Sequence, residues 1–464
     1  MALFWLNRDR DDFTTSFFRL SIFNILSNLM VPLAGLLDVA FLGHLDSIHY
    51  LAGVALASVL FNYIYWTFGF LRMGTTGMTA QAVGRGDAQG VLRVAVRNGA
   101  IALLVGLSIL VLQHPLRELG FALLSATDAV KNSGRAYYNS LIWGAPAALL
   151  NFVVMGWFLG RGQGHNVLIL SVVSNGVNSL LNYCFILQWG WASAGAGAAT
   201  ALSQYAMLGV GLGLVRREVQ RWDDKPQRVS WSVLTDLWDA SDLKAAFLLN
   251  GNIIIRTFAL VSVFAVFTNL SAAMGTVVLA TNTLLLQVVM LAAHFVDGVA
   301  FATESYAGLF QGRGQGDKLR ALVKLAAMVS LVMGVAIALL FTIFPTPLFS
   351  LLTRHANVVD TARQSVWWLV PVLALGSQAY MLDGYFLGLT AGKALQQAAV
   401  VSALLGFAPV GAIAWWQQSP HLLWLALTLF MGARTLTLAL RLAPTFVDTP
   451  AHGDKPANAA RRSS

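Results

Sequence analysis

Residues 98–113, 166–188, 193–215, 322–344 and 394–416 each form a run with almost no charge. A helix needs about 20 apolar residues to cross roughly 30 Å of hydrocarbon, so each run is a transmembrane helix candidate. The rest of the chain agrees. With 57% hydrophobic and 11% charged residues and a mean hydropathy of +0.66, there is more apolar surface than a water-soluble core can bury. The predicted fold class is therefore an all-α polytopic membrane protein.

Extending the pattern predicts twelve spans, at 16–42, 51–78, 94–113, 135–160, 166–189, 193–215, 243–270, 276–308, 322–345, 361–390, 394–416 and 420–442. An even number places both termini on one side of the membrane. With the termini cytoplasmic, Arg85, Arg161, Arg216, Arg313 and Lys393 fall in inside connections, and Arg117, Lys131 and Arg354 fall outside. The excess of basic residues inside favours this orientation, and the expected location is the inner (plasma) membrane. The formal charge of +9 is spread along connections instead of gathered into an aromatic-interleaved patch, so no nucleic-acid partner is expected. Cys184 stands alone in an apolar span, which excludes a disulfide framework and a cysteine metal site. Met1–Asp12 does not read as a signal peptide.

The polar segment 216–242 contains Trp222, Trp231 and Trp238 among charges and reads as an interfacial amphipathic linker between two lobes. The expected organisation is residues 1–215 (six spans), the linker, residues 243–445 (six spans) and a disordered tail at 446–464, rich in Pro, Ala, Ser and charge. The halves echo each other. Gly84-Arg85-Gly86-Asp87 is matched with Gly314-Gln315-Gly316-Asp317, and Pro146 before Gly156-Trp157-Phe158-Leu159-Gly160 with Pro371 before Gly384-Tyr385-Phe386-Leu387-Gly388. Six crossings preserve orientation, so the repeats are expected to be parallel and related by a pseudo-twofold axis along the membrane normal.

Ionisable groups inside spans are costly, at least about 2.5–3.5 kcal/mol each, and demand a partner, a wet cavity or a function. Those that stand out are Asp38, Arg72, Arg256, Asp297, Glu304 and Asp383. Asp38 lies in Val31-Pro32-Leu33-Ala34-Gly35-Leu36-Leu37-Asp38-Val39-Ala40, with no basic residue within a helical turn. Apolar surroundings disfavour its charged form, which suits a group that takes up and releases a proton near neutral pH; the alternative is a structural carboxylate. Asn178 and Asn182 are four apart and share a helix face, with Thr200 in the next span; they suit an ion or polar substrate, or equally a helix-to-helix contact. Asp297 and Glu304 are seven apart on one face that Arg256 is expected to reach, and with Asp383 they read as secondary charged candidates whose first expectation is an internal charge network. Trp66, Trp143, Trp157, Trp367 and Trp368 fit interfacial belts better than a cavity lining.

The run Pro32-Leu33-Ala34-Gly35-Leu36-Leu37-Asp38-Val39-Ala40-Phe41-Leu42-Gly43-His44-Leu45 closely resembles the first helix of multidrug and toxic compound extrusion (MATE) transporters. Arg72-Met73-Gly74-Thr75-Thr76-Gly77 and the Gly-x-Phe-Leu-Gly elements do likewise. With Asp297-Gly298 and Leu382-Asp383-Gly384, they look most like the branch named for the DNA-damage-inducible protein F (DinF), over about residues 15–445. The resemblance implies a V-shaped pair of six-helix lobes that exports organic, often cationic or amphipathic, compounds in exchange for protons or sodium. It also implies a coupling site of Asp38 with Asn178, Thr200, Tyr137 and Asn151.

Two departures stand out. Where relatives often carry a second acid, this chain has Asn182, and a single carboxylate favours a proton over a sodium ion. Phe23 replaces the family's proline, so bending is expected nearer Pro32. The expected protein is thus a monomeric antiporter with no cofactor and no metal, whose partners are small organic molecules and the bilayer. Sodium-coupled efflux and lipid-linked precursor flipping are the competing functions. An enzyme is not expected, for want of a His-Glu-x-x-His or Gly-x-Ser-x-Gly element, and a channel would need a ring-forming filter.

Overall fold

The computed structural model describes residues 10–45, 47–221, 240–353 and 355–447. The tail beyond Val447, most of the 216–242 linker with its three tryptophans, and the Trp66 side chain lie outside the described residues. Within them the chain is helical, without a strand. Eleven helical segments are long and apolar enough to span a membrane. The remaining span is the pair Ile48–Phe68 and Phe70–Gly84, one run interrupted at Gly69.

The twelve spans are Arg10–Gly43, the interrupted pair, Ala88–Val111, Asp128–Gly160, Gly164–Gln188, Ala192–Gln220, Ala240–Ala273, Thr276–Gly312, Gly316–Ile343, Ala356–Gly388, Gly392–Trp416 and Pro420–Ala439. Short helices Gln113–Leu123 and Pro345–Leu352 precede the fourth and tenth spans in regions expected to be loops. Both are too short to cross, so they fall below a threshold set for spans.

Each half carries the same interruptions. The fourth span tightens to a 3-10 turn at Ile142–Gly144 and the tenth at Val366–Trp368, just before Pro146 and Pro371. Proline offers no N–H to the helical ladder, which disfavours regular α geometry immediately ahead of it. The fifth and eleventh spans each contain a π segment, Tyr183–Gln188 and Ser402–Phe407.

The repeat register differs from the sequence reading. Gly86 and Gly314 adopt matching left-handed φ values of 70° and 69°, so the equivalent of Gly84-Arg85-Gly86-Asp87 is Gly312-Arg313-Gly314-Gln315, two residues earlier than expected. The spans before the fifth and eleventh end in the same way, with Gly162 at φ 68° and Thr390 at φ 55°. All four turns close with the same pair of backbone bonds, for example Asp87 N to Ala82 O at 3.0 Å and Gly86 N to Val83 O at 3.1 Å. This is a Schellman stop, which needs a left-handed residue after the helix. Three of the four use glycine. At the fourth, Thr390 tolerates the left-handed backbone and its hydroxyl accepts a bond from Gln81 at 3.2 Å.

Contacts divide the chain into two units, one of residues 26–79 and 88–244, the other of residues up to Ile25, 80–87 and from 245 onward. In the first unit, Trp157 is buried and donates to Val91 O at 3.2 Å. In the second, the core gathers Phe267, Val288, Leu369, Trp424 and Phe430, and Trp424 donates to Asn282 at 2.9 Å. Of the tryptophans expected in interfacial belts, Trp143 and Trp367 are exposed, whereas Trp157 and Trp368 are buried in the packing and do not fit that expectation.

The Gly-x-x-x-Gly landmark Gly384–Gly388 has a packing cause. A Cβ on Gly384 would meet the carbonyl of Ala300, and one on Gly388 the carbonyl of Glu304, so the tenth span lies directly on the backbone of the eighth. Gly384→Leu is expected to destabilise the protein by about 1–3 kcal/mol, read as a lower melting temperature and a smaller monodisperse fraction on size-exclusion chromatography in detergent.

Candidate functional site

In the first unit, the helix Arg10–Gly43 continues through Pro32 and carries Asp38. Leu36, Leu37 and Val39 are exposed while Asp38 is half-buried, so the carboxylate is turned inward from an outward-facing apolar stretch. Asn182 is fully buried at the last α-helical turn of the fifth span, where the π segment begins. Its Nδ2 donates to Asp38 Oδ1 at 2.6 Å and to Asn178 Oδ1 at 3.1 Å. Asn178 Nδ2 donates to Thr200 Oγ1 at 3.0 Å, and the Thr200 hydroxyl donates to Ala196 O at 3.0 Å.

The polar groups therefore form one directed chain across three spans, beginning from a carboxylate that accepts. Asn182 spends its donor capacity on Asp38 and Asn178, and its own Oδ1 is buried without a hydrogen-bond partner among the described residues. A neutral amide holds Asp38, and among the described residues the carboxylate has no salt bridge.

Tyr137 is buried, with its ring 6.2 Å from that of Phe61 between centroids. Asn151 belongs to a neighbouring contact instead: its Nδ2 donates to Gln204 O at 2.9 Å and Gln204 Oε1 at 3.0 Å, joining the fourth and sixth spans. The structure thus joins Asp38, Asn182, Asn178 and Thr200 by hydrogen bonds, packs Tyr137 against Phe61, and gives Asn151 other partners.

The second unit arranges its charges differently. Arg256 and Arg434 both donate through Nη2 to the same oxygen, Oδ2, of Asp383. All three residues are buried, and neither arginine Nε has a hydrogen-bond partner among the described residues. Arg434 also lies over the Tyr380 ring at 5.4 Å. The sequence reading expected Arg256 to reach the face of Asp297 and Glu304; the structure shows its guanidinium, with that of Arg434, on Asp383. Glu304 is fully buried two helical turns along the same face from Asp297.

Arg434 was legible as a charged residue in the apolar run Leu429-Phe430-Met431-Gly432-Ala433-Arg434 but was not singled out. A separate cavity of about 500 Å³ between the seventh and eleventh spans is lined by Ser262, Val266, Leu270, Leu404, Phe407 and Trp415 among others, and no charged residue lines it.

Comparison with known proteins fits this architecture. The MatE family profile matches residues 24–184 and 253–413, one copy in each half of the chain. The chain is 32% identical over 415 residues to the DNA damage-inducible protein F of Escherichia coli strain K12, covering 89% of each. Among solved structures, it superposes on an outward-facing multidrug resistance MATE family transporter of the MOP superfamily with a TM-score of 0.82 at 21% identity, covering 93% of this chain and 96% of that one. It also superposes on the Vibrio cholerae MATE transporter VcmN with a TM-score of 0.81 at 20% identity, covering 94% of this chain and 99% of that one. With both halves matched and a relative this similar along nearly its whole length, the chain belongs to the MATE family of membrane transporters.

Proposed function

We propose that this protein is a proton-coupled multidrug antiporter of the inner membrane that exports organic cations or amphipaths, with Asp38 as its coupling carboxylate. Asn178, Asn182 and Thr200 orient that carboxylate, Tyr137 flanks it, and Asn151 braces the unit around it. The observation that carries this reading is the contrast between the two membrane carboxylates. Asp38 is held by a neutral amide alone, whereas Asp383 is held by two guanidiniums. A group that must gain and lose a proton in each cycle suits the first setting and not the second.

In the proposed cycle, ionised Asp38 accepts the Asn182 N–H and attracts the cationic part of the cargo. A proton arriving from outside neutralises the carboxylate, removes that attraction and releases the cargo. Protonation also gives Asp38 an O–H, for which the unpartnered Oδ1 of Asn182 offers an acceptor after rotation of the amide. The proton and the cargo drive transport only because each binds the inward-open and outward-open forms with different affinity.

The test is efflux of a cationic dye from proteoliposomes under an imposed proton gradient or an imposed sodium gradient. Proton-driven efflux that ignores sodium is expected; sodium-driven efflux at uniform pH would replace the reading with sodium antiport. The missing second acid gives a further prediction. Asn182→Asp puts two carboxylates within hydrogen-bonding distance, and a hard cation favours that charge and oxygen count. Sodium is therefore expected to raise the melting temperature of this variant and to leave that of the wild type unchanged.

A further inference from the structure

The seventh and eleventh spans face each other across the cavity of about 500 Å³ in the second unit. On the seventh span its wall includes Ala259, Val263, Val266 and Leu270, and on the eleventh Ala403, Phe407, Gly411 and Trp415. Steps of three or four residues make each set one helical stripe. Pro409 interrupts the second stripe: it has no N–H for the helical ladder, and the helix ahead of it widens into the π segment Ser402–Phe407. Val266, Leu404 and Trp415 are exposed, so the cavity is a groove open along one side.

The corresponding place in the first unit is polar. The left-handed turns at Gly162 and Gly190 that bracket the fifth span recur at Thr390 and Gln418 around the eleventh, at one constant offset. The same offset carries Asn178 to Gly406 and Asn182 to Val410, so neither amide of the Asp38 site has a counterpart here. Among the described residues that line the groove none is charged, and Ser262 supplies the single hydroxyl. A buried water needs about two to four polar partners and an intramembrane cation a counter-charge, and the wall offers neither.

The length of the groove indicates what it takes. At about 1.5 Å per residue, the stripe from Ala259 to Leu270 is about 17 Å long and that from Ala403 to Trp415 about 18 Å. One leaflet of a bilayer with about 30 Å of hydrocarbon is about 15 Å thick. The seventh and eleventh spans cross in the same direction, and the groove runs toward their ends at Ala273 and Trp416. There the exposed Trp415, Trp416, Gln417 and Gln418 form an amphipathic rim of the kind found at a membrane interface. A compact ligand needs a pocket; a trough one leaflet long, uncharged and open at the side, fits an extended hydrocarbon chain anchored at its polar end.

We propose that this groove is a binding site for one acyl chain of a bilayer phospholipid, with the headgroup at the Trp415–Gln418 rim. The chain lies along Val266 and Phe407 and covers the π segment of the eleventh span. The assignment needs only a membrane-spanning second unit, so it stands or falls apart from the coupling role of Asp38.

The test is photolabelling of the wild type in vesicles that contain a phosphatidylethanolamine with a mid-chain diazirine, followed by proteolysis and mass spectrometry. Adducts are expected to concentrate on residues 259–270 and 400–415. They should be sparse on the ninth span, which exposes Met328, Val332 and Leu340 outside the groove. Ala408→Leu combined with Ala412→Leu fills the groove from its exposed edge. The added side chains displace several methylenes of the acyl chain, so adducts in the groove are expected to fall about tenfold. Ala336→Leu, on the exposed face of the ninth span, should leave them unchanged.

Adducts spread evenly over every exposed apolar stretch of the wild type would reduce the groove to ordinary lipid contact and overturn the site, whether or not the double variant folds. Equal labelling of the wild type and of a double variant with an unchanged melting temperature would overturn it as well. Saturating tetraphenylphosphonium is expected to leave the labelling unchanged; suppression by this cation would give the groove to cargo instead of lipid.

Discussion

Asp38→Asn is expected to reduce proton-driven dye efflux from proteoliposomes to the level of protein-free vesicles while leaving the folded protein intact. The substitution keeps size and hydrogen-bonding capacity. The Asn182 N–H that now reaches Asp38 Oδ1 at 2.6 Å can still donate to an amide oxygen, and the half-buried site loses a charge that is costly in a membrane. Melting temperature should therefore hold or rise. What disappears is the ability to exchange a proton, so the pH dependence of cargo binding should flatten as transport is lost. Proton-driven efflux persisting in this variant would remove Asp38 from the coupling step and turn attention to the fully buried Glu304.

Asp383 should behave in the opposite manner. Asp383→Asn removes the carboxylate that Arg256 and Arg434 share and leaves two buried guanidiniums side by side. Breaking a buried ion pair from one side costs about 3–5 kcal/mol, because an uncompensated charge stays behind. The expected result is a sharp fall in melting temperature and folded yield, with transport lost only in proportion to folded protein. Replacing all three together, as Arg256→Met, Asp383→Leu and Arg434→Met, should recover much of that stability, since desolvation of a buried ionic cluster offsets most of its attraction. A variant Asp383→Asn that folds and melts like the wild type yet fails to transport would instead give this carboxylate a part in the cycle.

The membrane class and the helical fold were readable because lipid imposes a simple rule, long uncharged runs, that the sequence displays openly. The rule is blind to what happens inside a run. Nothing in the hydropathy of residues 51–78 marks the interruption at Gly69, and the short helices at 113–123 and 345–352 are too short to satisfy it. The repeat was visible, but its register was not. Two glycine-rich tetrapeptides lie two residues apart in the second half, and only the left-handed backbone at Gly314 shows which of them closes the turn.

Within the candidate site, spacing put Asn178 and Asn182 on one face. Their union with Asp38 spans 144 positions of sequence, and no local pattern encodes a contact so remote; resemblance to a family supplied it. Arg434 went unremarked because it is a charge whose counter-ion is distant in sequence.

The four Schellman turns have a mechanical corollary. Each joins two spans through three residues whose paired N–H groups bond back to the preceding helix, so the direction in which the chain leaves that helix is fixed. Compliance is then expected where the helical ladder is broken: at Pro32, at Gly69, at the 3-10 turns Ile142–Gly144 and Val366–Trp368, and at the π segments Tyr183–Gln188 and Ser402–Phe407. Asn182 adjoins one of these soft points. The residue that reads the charge on Asp38 is therefore fastened to one of the few places where its helix can yield.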